Sequence, residues 1–291
     1  MSDNLLEIDK LNVDYLVDKG EFRAVKEVSF NIARGEIFGL AGESGCGKST
    51  IAYAITRLSK APAWISGGSV RLDGQDLLRL PERELQRIRW KRIGMVFQSA
   101  MNSLNPLMRV EAQFHDVLRR HTGCSHEESR ARAEEMFRLV GIPTHRIGDY
   151  PHQFSGGMRQ RIVIAICLAL RPEFIIMDEP TTALDVVVQR EILEQVVDLQ
   201  RSYGFSVLFI THDLHLMAQL CQRIGVMLNG ELVEVGDVRQ VAEAPLHDYT
   251  RKLWNAIPQL PAIRITRESW HEGGDKSCCH RRRDPARKHP A

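Results

Sequence analysis

The chain of 291 residues is 43% hydrophobic and 26% charged, a balance that supports one large core or two closely packed ones and excludes wholesale disorder. A net charge of +2 argues against a dedicated nucleic-acid binder. The longest uncharged apolar run, Ile162 to Leu170, is nine residues, about half of the roughly 20 that a bilayer-crossing helix needs.

From Leu5 to about Phe38, apolar and polar residues alternate (Leu11, Val13, Tyr15; Val25, Val28, Phe30, Ile32) with a break at Lys19 and Gly20, which predicts antiparallel strands. The start MSDNLLEIDK lacks the basic-then-apolar order of a secretory signal, so the chain is expected in the cytoplasm. Ile37 to Ala41 reads as a short apolar strand and Gly42 to Gly47 as a glycine-rich loop. Lys48 to Leu58, with Ile51, Ile55 and Leu58 at helical spacing, reads as a helix. From about Pro81 to Leu170 the pattern is mostly helical, as in ELQRIRWKRIG and ESRARAEEMFRLVG, with Gly141 and Pro143 as a stop. FIIMD at 174–178 and VLFITHD at 207–213 are apolar runs ending in polar residues, separated by a helical stretch from Val186 to Tyr203. This order predicts a parallel βαβ arrangement.

Gly42, Glu43, Ser44, Gly45, Cys46, Gly47, Lys48, Ser49 and Thr50 fit G-x-x-x-x-G-K-[ST], with the preceding strand and following helix that the motif requires. Glycines let the backbone wrap a phosphate chain, so that successive N–H groups and the helix N-terminus face the anion. Lys48 would reach the β and γ phosphates and the Ser49 hydroxyl would help to hold Mg²⁺. At the end of FIIM, Asp178 is placed to bind the same cation and Glu179 to act as general base on the attacking water. His212 follows a second apolar strand, at the carboxyl ends where ligands gather in open α/β sheets.

Together with five further segments, these motifs resemble the nucleotide-binding subunits of ATP-binding-cassette transporters in order and spacing over nearly the whole chain. Phe154, Ser155, Gly156, Gly157 and Met158 resemble the LSGGQ signature, with Phe and Met replacing Leu and Gln. The resemblance implies that Ser155, Gly156, Gly157 and Met158 bind the γ-phosphate held by an opposite subunit. It further implies that Gln98 reaches Mg²⁺ and the water, that Ala183, Leu184 and Asp185 communicate across the dimer, that His212 is the switch histidine, and that Tyr15, with Phe22 nearby, stacks on adenine. The implied fold is α/β: a P-loop NTPase (RecA-like) core, an N-terminal antiparallel β subdomain and an α-helical subdomain inserted at about 99–171, within a cassette domain of 1–258.

Within the family, the run from Phe97 to Pro106 resembles the FQ-x-x-x-x-SLNP segment of dipeptide and oligopeptide importers, as do Pro245 to Thr250 and Ala256 to Pro258. The resemblance implies an ATPase using ATP and Mg²⁺, paired with a second ATP-binding subunit (a copy or a paralogue) and two integral membrane permeases. Those permeases would receive solute from an extracytoplasmic binding protein, and the chain would lie peripherally on the cytoplasmic face of a bacterial inner membrane. Peptides are the expected solute; oligosaccharides and nickel are the alternatives, and a non-transport cassette ATPase is the alternative of another class. The extension 259–291 is expected to be flexible from about residue 272. Its adjacent Cys278 and Cys279 lack the spaced thiolates that an iron–sulfur cluster needs, so no cluster is expected. The other four cysteines, Cys46, Cys124, Cys167 and Cys221, also read as reduced thiols.

Overall fold

In the computed structural model, which describes residues 3–18, 20–98, 103–181 and 184–256, the N-terminal alternation becomes a hairpin. Strand β1 (Asn4–Val17) pairs antiparallel with β2 (Gly20–Ala33) in a register that sets Val13 opposite Val25. The other edge of β1 takes β4 (Ala63–Leu72), which continues into the two-residue β5 (Gln75–Asp76), giving the order β2-β1-β4-β5. The inward residues Leu6, Leu11, Val13, Val25 and Ile32 are fully buried, as a half-buried antiparallel sheet requires.

The second sheet contains β3 (Ile37–Gly42), β6 (Ile93–Val96), β7 (Phe174–Asp178), β8 (Ser206–Ile210), β9 (Arg223–Leu228) and β10 (Glu231–Asp237) in the order β10-β9-β3-β8-β7-β6. It is parallel except for β10, which runs antiparallel to β9. Every residue of β3, β7 and β8 is buried, which is why they appear in the sequence as continuous apolar runs. One core spans both sheets and helix α1 (Lys48–Thr56), joining Leu6, Val13 and Ile32 to Phe38, Ile51, Ile55, Phe174 and Ile176. At the rim, Arg34, Asp73, Arg92 and Glu173 form a closed ring of ion pairs that links the turns of the first sheet to the approaches to β6 and β7.

The stretch expected to be mostly helical from Pro81 to Leu170 is interrupted by a strand. Helix α2 (Glu82–Ile88) stops where Arg89 becomes extended (ψ 136°), and Trp90 takes a φ of 70°. Arg89 donates to the Thr56 and Arg57 carbonyls at the end of α1, at 2.8 and 2.9 Å. The chain then enters β6 beside β7. ELQRIRWKRIG is therefore a helix end, a turn and the start of an edge strand, with Arg89 and Arg92 engaged in tertiary contacts.

Among the described residues, three α-helices lie between β6 and β7: α3 (Val110–Thr122), α4 (His126–Leu139) and α5 (Gly156–Leu168). A reciprocal cap between Ser125 and Glu128 opens α4, a device that contributes about 1 kcal/mol. Phe137 packs edge-on between Phe114 and Phe154, with ring centroids at 6.0 and 6.5 Å, and so ties α3 and α4 to the segment that starts α5. The remaining α-helices among the described residues are α6 (Val186–Tyr203), α7 (Leu214–Leu220), α8 (Val238–Glu243) and α9 (Asp248–Asn255).

The chain divides into two units, Met1–Trp254 and Asn255–Ala291; of the second, only Asn255 and Ala256 are described. Ala183, Ile257, Pro258 and the Cys278–Cys279 pair lie outside the described residues, as do positions 99–102 of the importer-like segment. No helix among the described residues is long and apolar enough to cross a membrane.

Candidate nucleotide site

Because β3, β8 and β7 are neighbours, their carboxyl ends bring the phosphate loop, Asp178 and His212 to one edge of the sheet. The loop leaves β3 at Gly42 with a φ of +144°, and a Cβ there would meet the Met227 carbonyl oxygen at 2.4 Å, so glycine is required. Lys48, the first residue of α1, is only 6% exposed. It folds back so that Nζ donates to the Gly42 and Glu43 carbonyls at 2.7 and 2.8 Å and lies 3.6 Å from Cys46 Sγ. Ser44 and Gly45 are exposed at the crown of the loop. In the same first turn of α1, Thr50 Oγ1 is 3.3 Å from the Tyr15 hydroxyl, whose half-buried ring pairs across the hairpin with the exposed Phe22.

Ser49 Oγ donates to Asp178 Oδ1 at 3.0 Å. Burial pushes the Asp178 carboxyl above its ordinary value and the Glu179 charge adds to this, against the pull of Ser49 and Lys48. A cation would relieve that unfavourable charge. The Ser49 hydroxyl, the Asp178 carboxylate and the Gln98 amide offer the hard oxygen donors that Mg²⁺ takes, so these residues fit it. Glu179 has a φ of 45° and its N–H donates to the Ile210 carbonyl at 2.8 Å. Its carboxylate accepts from Gln98 Nε2 at 3.1 Å and lies 3.4 Å from Nδ1 of the exposed His212. Tyr53 of α1 stacks on Phe97 with centroids 6.0 Å apart, which fixes the residue before Gln98.

A second group forms at the N-termini of α5 and α6. Ser155 caps α5 by accepting the Met158 N–H at 3.3 Å, and Asp185 caps α6 by accepting the Val188 N–H at 3.0 Å. Gly156 and Gly157 occupy the first turn of α5, and a Cβ on Gly157 would lie 2.5 Å from Val188 Cγ1. Met158 Sδ sits 3.7 Å from Arg146 Nη1, and the Arg146 guanidinium lies 4.4 Å above the Phe154 ring.

The ABC transporter family matches residues 25–182. An oligopeptide transport ATP-binding protein, OppD of Bacillus subtilis, is 43% identical over 267 residues, 91% of this chain and 74% of the relative. The chain belongs to the ABC transporter family. A dipeptide transport ATP-binding protein, DppD of Escherichia coli, is 41% identical over 258 residues, 88% of this chain and 79% of that one. Among solved ABC cassettes, dimeric MJ0796 in a post-hydrolysis state bound to ADP and Pi superposes with a TM-score of 0.71 at 31% identity, covering 80% of this chain and 99% of that one. The cassette cbiO1 of Clostridium perfringens, part of the transporter complex cbiONQ, gives 0.70 at 28% identity, with 88% and 97% covered.

Set in this ABC cassette, the motif residues fall into the two groups described: phosphate loop, Gln98, Asp178, Glu179 and His212 in one, Ser155 to Met158 with Asp185 in the other. The sequence reading missed Tyr249. Its hydroxyl accepts the Glu43 N–H at 3.3 Å, so it touches the phosphate loop directly. The signal was present in the Pro245–Thr250 motif, which was read as a mark of kinship and not as part of a site.

Proposed function

We propose that this chain is the ATP-hydrolysing subunit that energises an ABC importer for di- or oligopeptides. The observation that carries the chemistry is the Glu179 carboxylate, held between the Gln98 amide and the His212 ring, next to Asp178 and the mouth of the phosphate loop. Lys48 exchanges its two carbonyl contacts for the β and γ phosphates, and the loop amides with the N-terminus of α1 cradle the rest of the chain. Tyr15 offers its ring to adenine. Ser49, Asp178 and Gln98 hold Mg²⁺, which supplies charge neutralisation at the phosphates when bound. Glu179 takes a proton of the attacking water as its oxygen bonds to the γ-phosphorus and the bond from that phosphorus to the β–γ bridging oxygen breaks, leaving ADP and inorganic phosphate, while His212 orients that carboxylate and the γ-phosphate.

The capped N-terminus of α5, with Ser155, Gly156, Gly157 and Met158, is an anion site for the ATP held by a second cassette, a copy or a paralogue, with Asp185 at the dimer seam. The dimeric form of MJ0796 supports this arrangement. Two permeases bind the pair at the cytoplasmic face of the membrane, and an extracytoplasmic binding protein delivers solute. The names of OppD and DppD support peptides as that solute. The test is uptake of labelled peptides, an oligosaccharide and nickel in native cells carrying wild-type protein or Glu179→Gln. Loss of peptide uptake alone is expected. Loss of one of the other solutes reassigns the cargo, and undiminished uptake of all three, with normal expression, refutes the importer reading.

A further inference from the structure

The Pro245–Thr250 turn is anchored far more tightly than a surface connection needs. Glu234 of β10 is 8% exposed and both its oxygens accept main-chain N–H groups, from Leu246 at 2.8 Å and His247 at 3.0 Å. Burial alone would raise this carboxyl, but these bonds outweigh it and hold it below its ordinary value. His247 Nδ1 accepts the Tyr249 N–H at 3.1 Å. Arg251 bridges Asp248 Oδ1 at 2.6 Å and the Pro245 carbonyl at 3.2 Å, and Thr250 is fully buried.

The product of this scaffold is the direction of one side chain. Tyr249 reaches from the start of α9 to the Glu43 N–H, 206 residues earlier in the chain. The same Glu43 residue accepts Lys48 Nζ and the Cys46 N–H on its carbonyl, at 2.8 and 3.3 Å. Its amide and carbonyl are thus held from both sides, by the phenol and by the ammonium. Burial against the loop pushes the phenol above its ordinary value, so it stays neutral at working pH.

We propose that Tyr249 is a positioning residue for ATP binding: the Pro245–Thr250 turn holds its hydroxyl on the Glu43 amide, and that contact latches the phosphate loop in the shape that receives the triphosphate. ATP binding releases Lys48 from the Glu43 carbonyl. The Tyr249 contact then remains to hold this residue, so the loop keeps its curvature while its ammonium moves.

The inference rests on the reading of residues 42–50 as the ATP site, and the test separates the two. In the full-length chain, a loss of ATP affinity of about tenfold or more in Lys48→Ala establishes the site; wild-type affinity in Lys48→Ala overturns both. Tyr249→Phe removes one oxygen and one hydrogen bond. It is expected to raise the ATP Kd and KM about two- to twelvefold, the range for losing one such bond that selects a binding-competent loop, with kcat within about twofold. Amide exchange at Glu43 should speed up while protection through α9 and β10 is unchanged. Wild-type affinity with unaltered Glu43 exchange overturns the latch. A fall in kcat and melting temperature with exchange raised throughout α9 also overturns it, because it assigns Tyr249 to packing alone.

Discussion

Gly157→Ala isolates the packing of the signature segment from its chemistry. A methyl at this position would sit 2.5 Å from Val188 Cγ1, whereas ordinary contact begins at 3.4 Å, so α5 and α6 must part by about 0.9 Å or Val188 must leave its rotamer. Valine in a helix has one strongly preferred rotamer and yields poorly. The expected cost is therefore about 1–3 kcal/mol of overpacking, offset by up to about 1 kcal/mol because alanine is the better helix former. Activity should suffer more than stability. The displaced turn carries Ser155 and the first amides of α5, and a misplacement on the order of 1 Å in a binding element can cost about 100-fold in rate. Val188→Ala removes the obstacle. Alone it should cost about 0.5–1 kcal/mol, since the residue is half-buried. Combined with Gly157→Ala it should restore both urea midpoint and ATPase rate to near those of Val188→Ala alone, a coupling of about 1–2 kcal/mol. Two readouts decide the matter: denaturant unfolding and steady-state ATPase for the four proteins. Strict additivity would show that Gly157 is needed for its backbone and not for the space that Val188 fills.

Lys48→Ala should weaken ATP binding by at least about tenfold, because a charge-assisted contact to phosphate is worth roughly 1.5–3 kcal/mol; a titration giving wild-type affinity contradicts the role assigned to the loop. Excess chelator should stop hydrolysis, and turnover that persists after divalent cations are removed contradicts the oxygen-donor reading of Ser49, Asp178 and Gln98. Burial pushes the Cys167 thiol up to about 12, so between about pH 8.5 and 12 the unfolded chain gives up this proton and the folded chain keeps it. The folded state then binds more protons, and stability should fall with rising pH by up to about 1.4 kcal/mol per unit for this group. Urea unfolding at pH 8, 9 and 10 should show a shallower decline in Cys167→Ala, and parallel declines refute the assignment.

The parts legible in the sequence were those where local pattern and tertiary role coincide. The strands β3, β7 and β8 are buried on both faces and read as apolar runs, and the span of α6 from Val186 to Tyr203 followed from its periodicity. Two of the strands that went unread, β4 and β6, have a pattern altered by their neighbours. Irregular register against β1, between Asp9 and Asn12, breaks the alternation of β4. The four residues of β6 are preceded by Arg89, which ends a helix and binds distant carbonyls. On the candidate site, motif spacing singled out Lys48, Asp178 and Glu179, which the neighbouring strands β3 and β7 bring to one edge of the sheet through β8. Tyr249 lies in the Pro245–Thr250 segment that the sequence marks, but its partner is a main-chain amide, so residue type alone does not show what it touches.

Glu179 carries the proposed base on a backbone with a φ of 45°, a conformation that costs most residues about 1 kcal/mol and glycine almost nothing. Any procedure that ranks substitutions by thermodynamic gain would therefore choose glycine here, and asparagine next. It would yield a sturdier protein that no longer turns over ATP. Stabilising this chain for study thus calls for leaving this uncomfortable residue alone, and a melting-temperature screen blind to hydrolysis would select the wrong winner at that position.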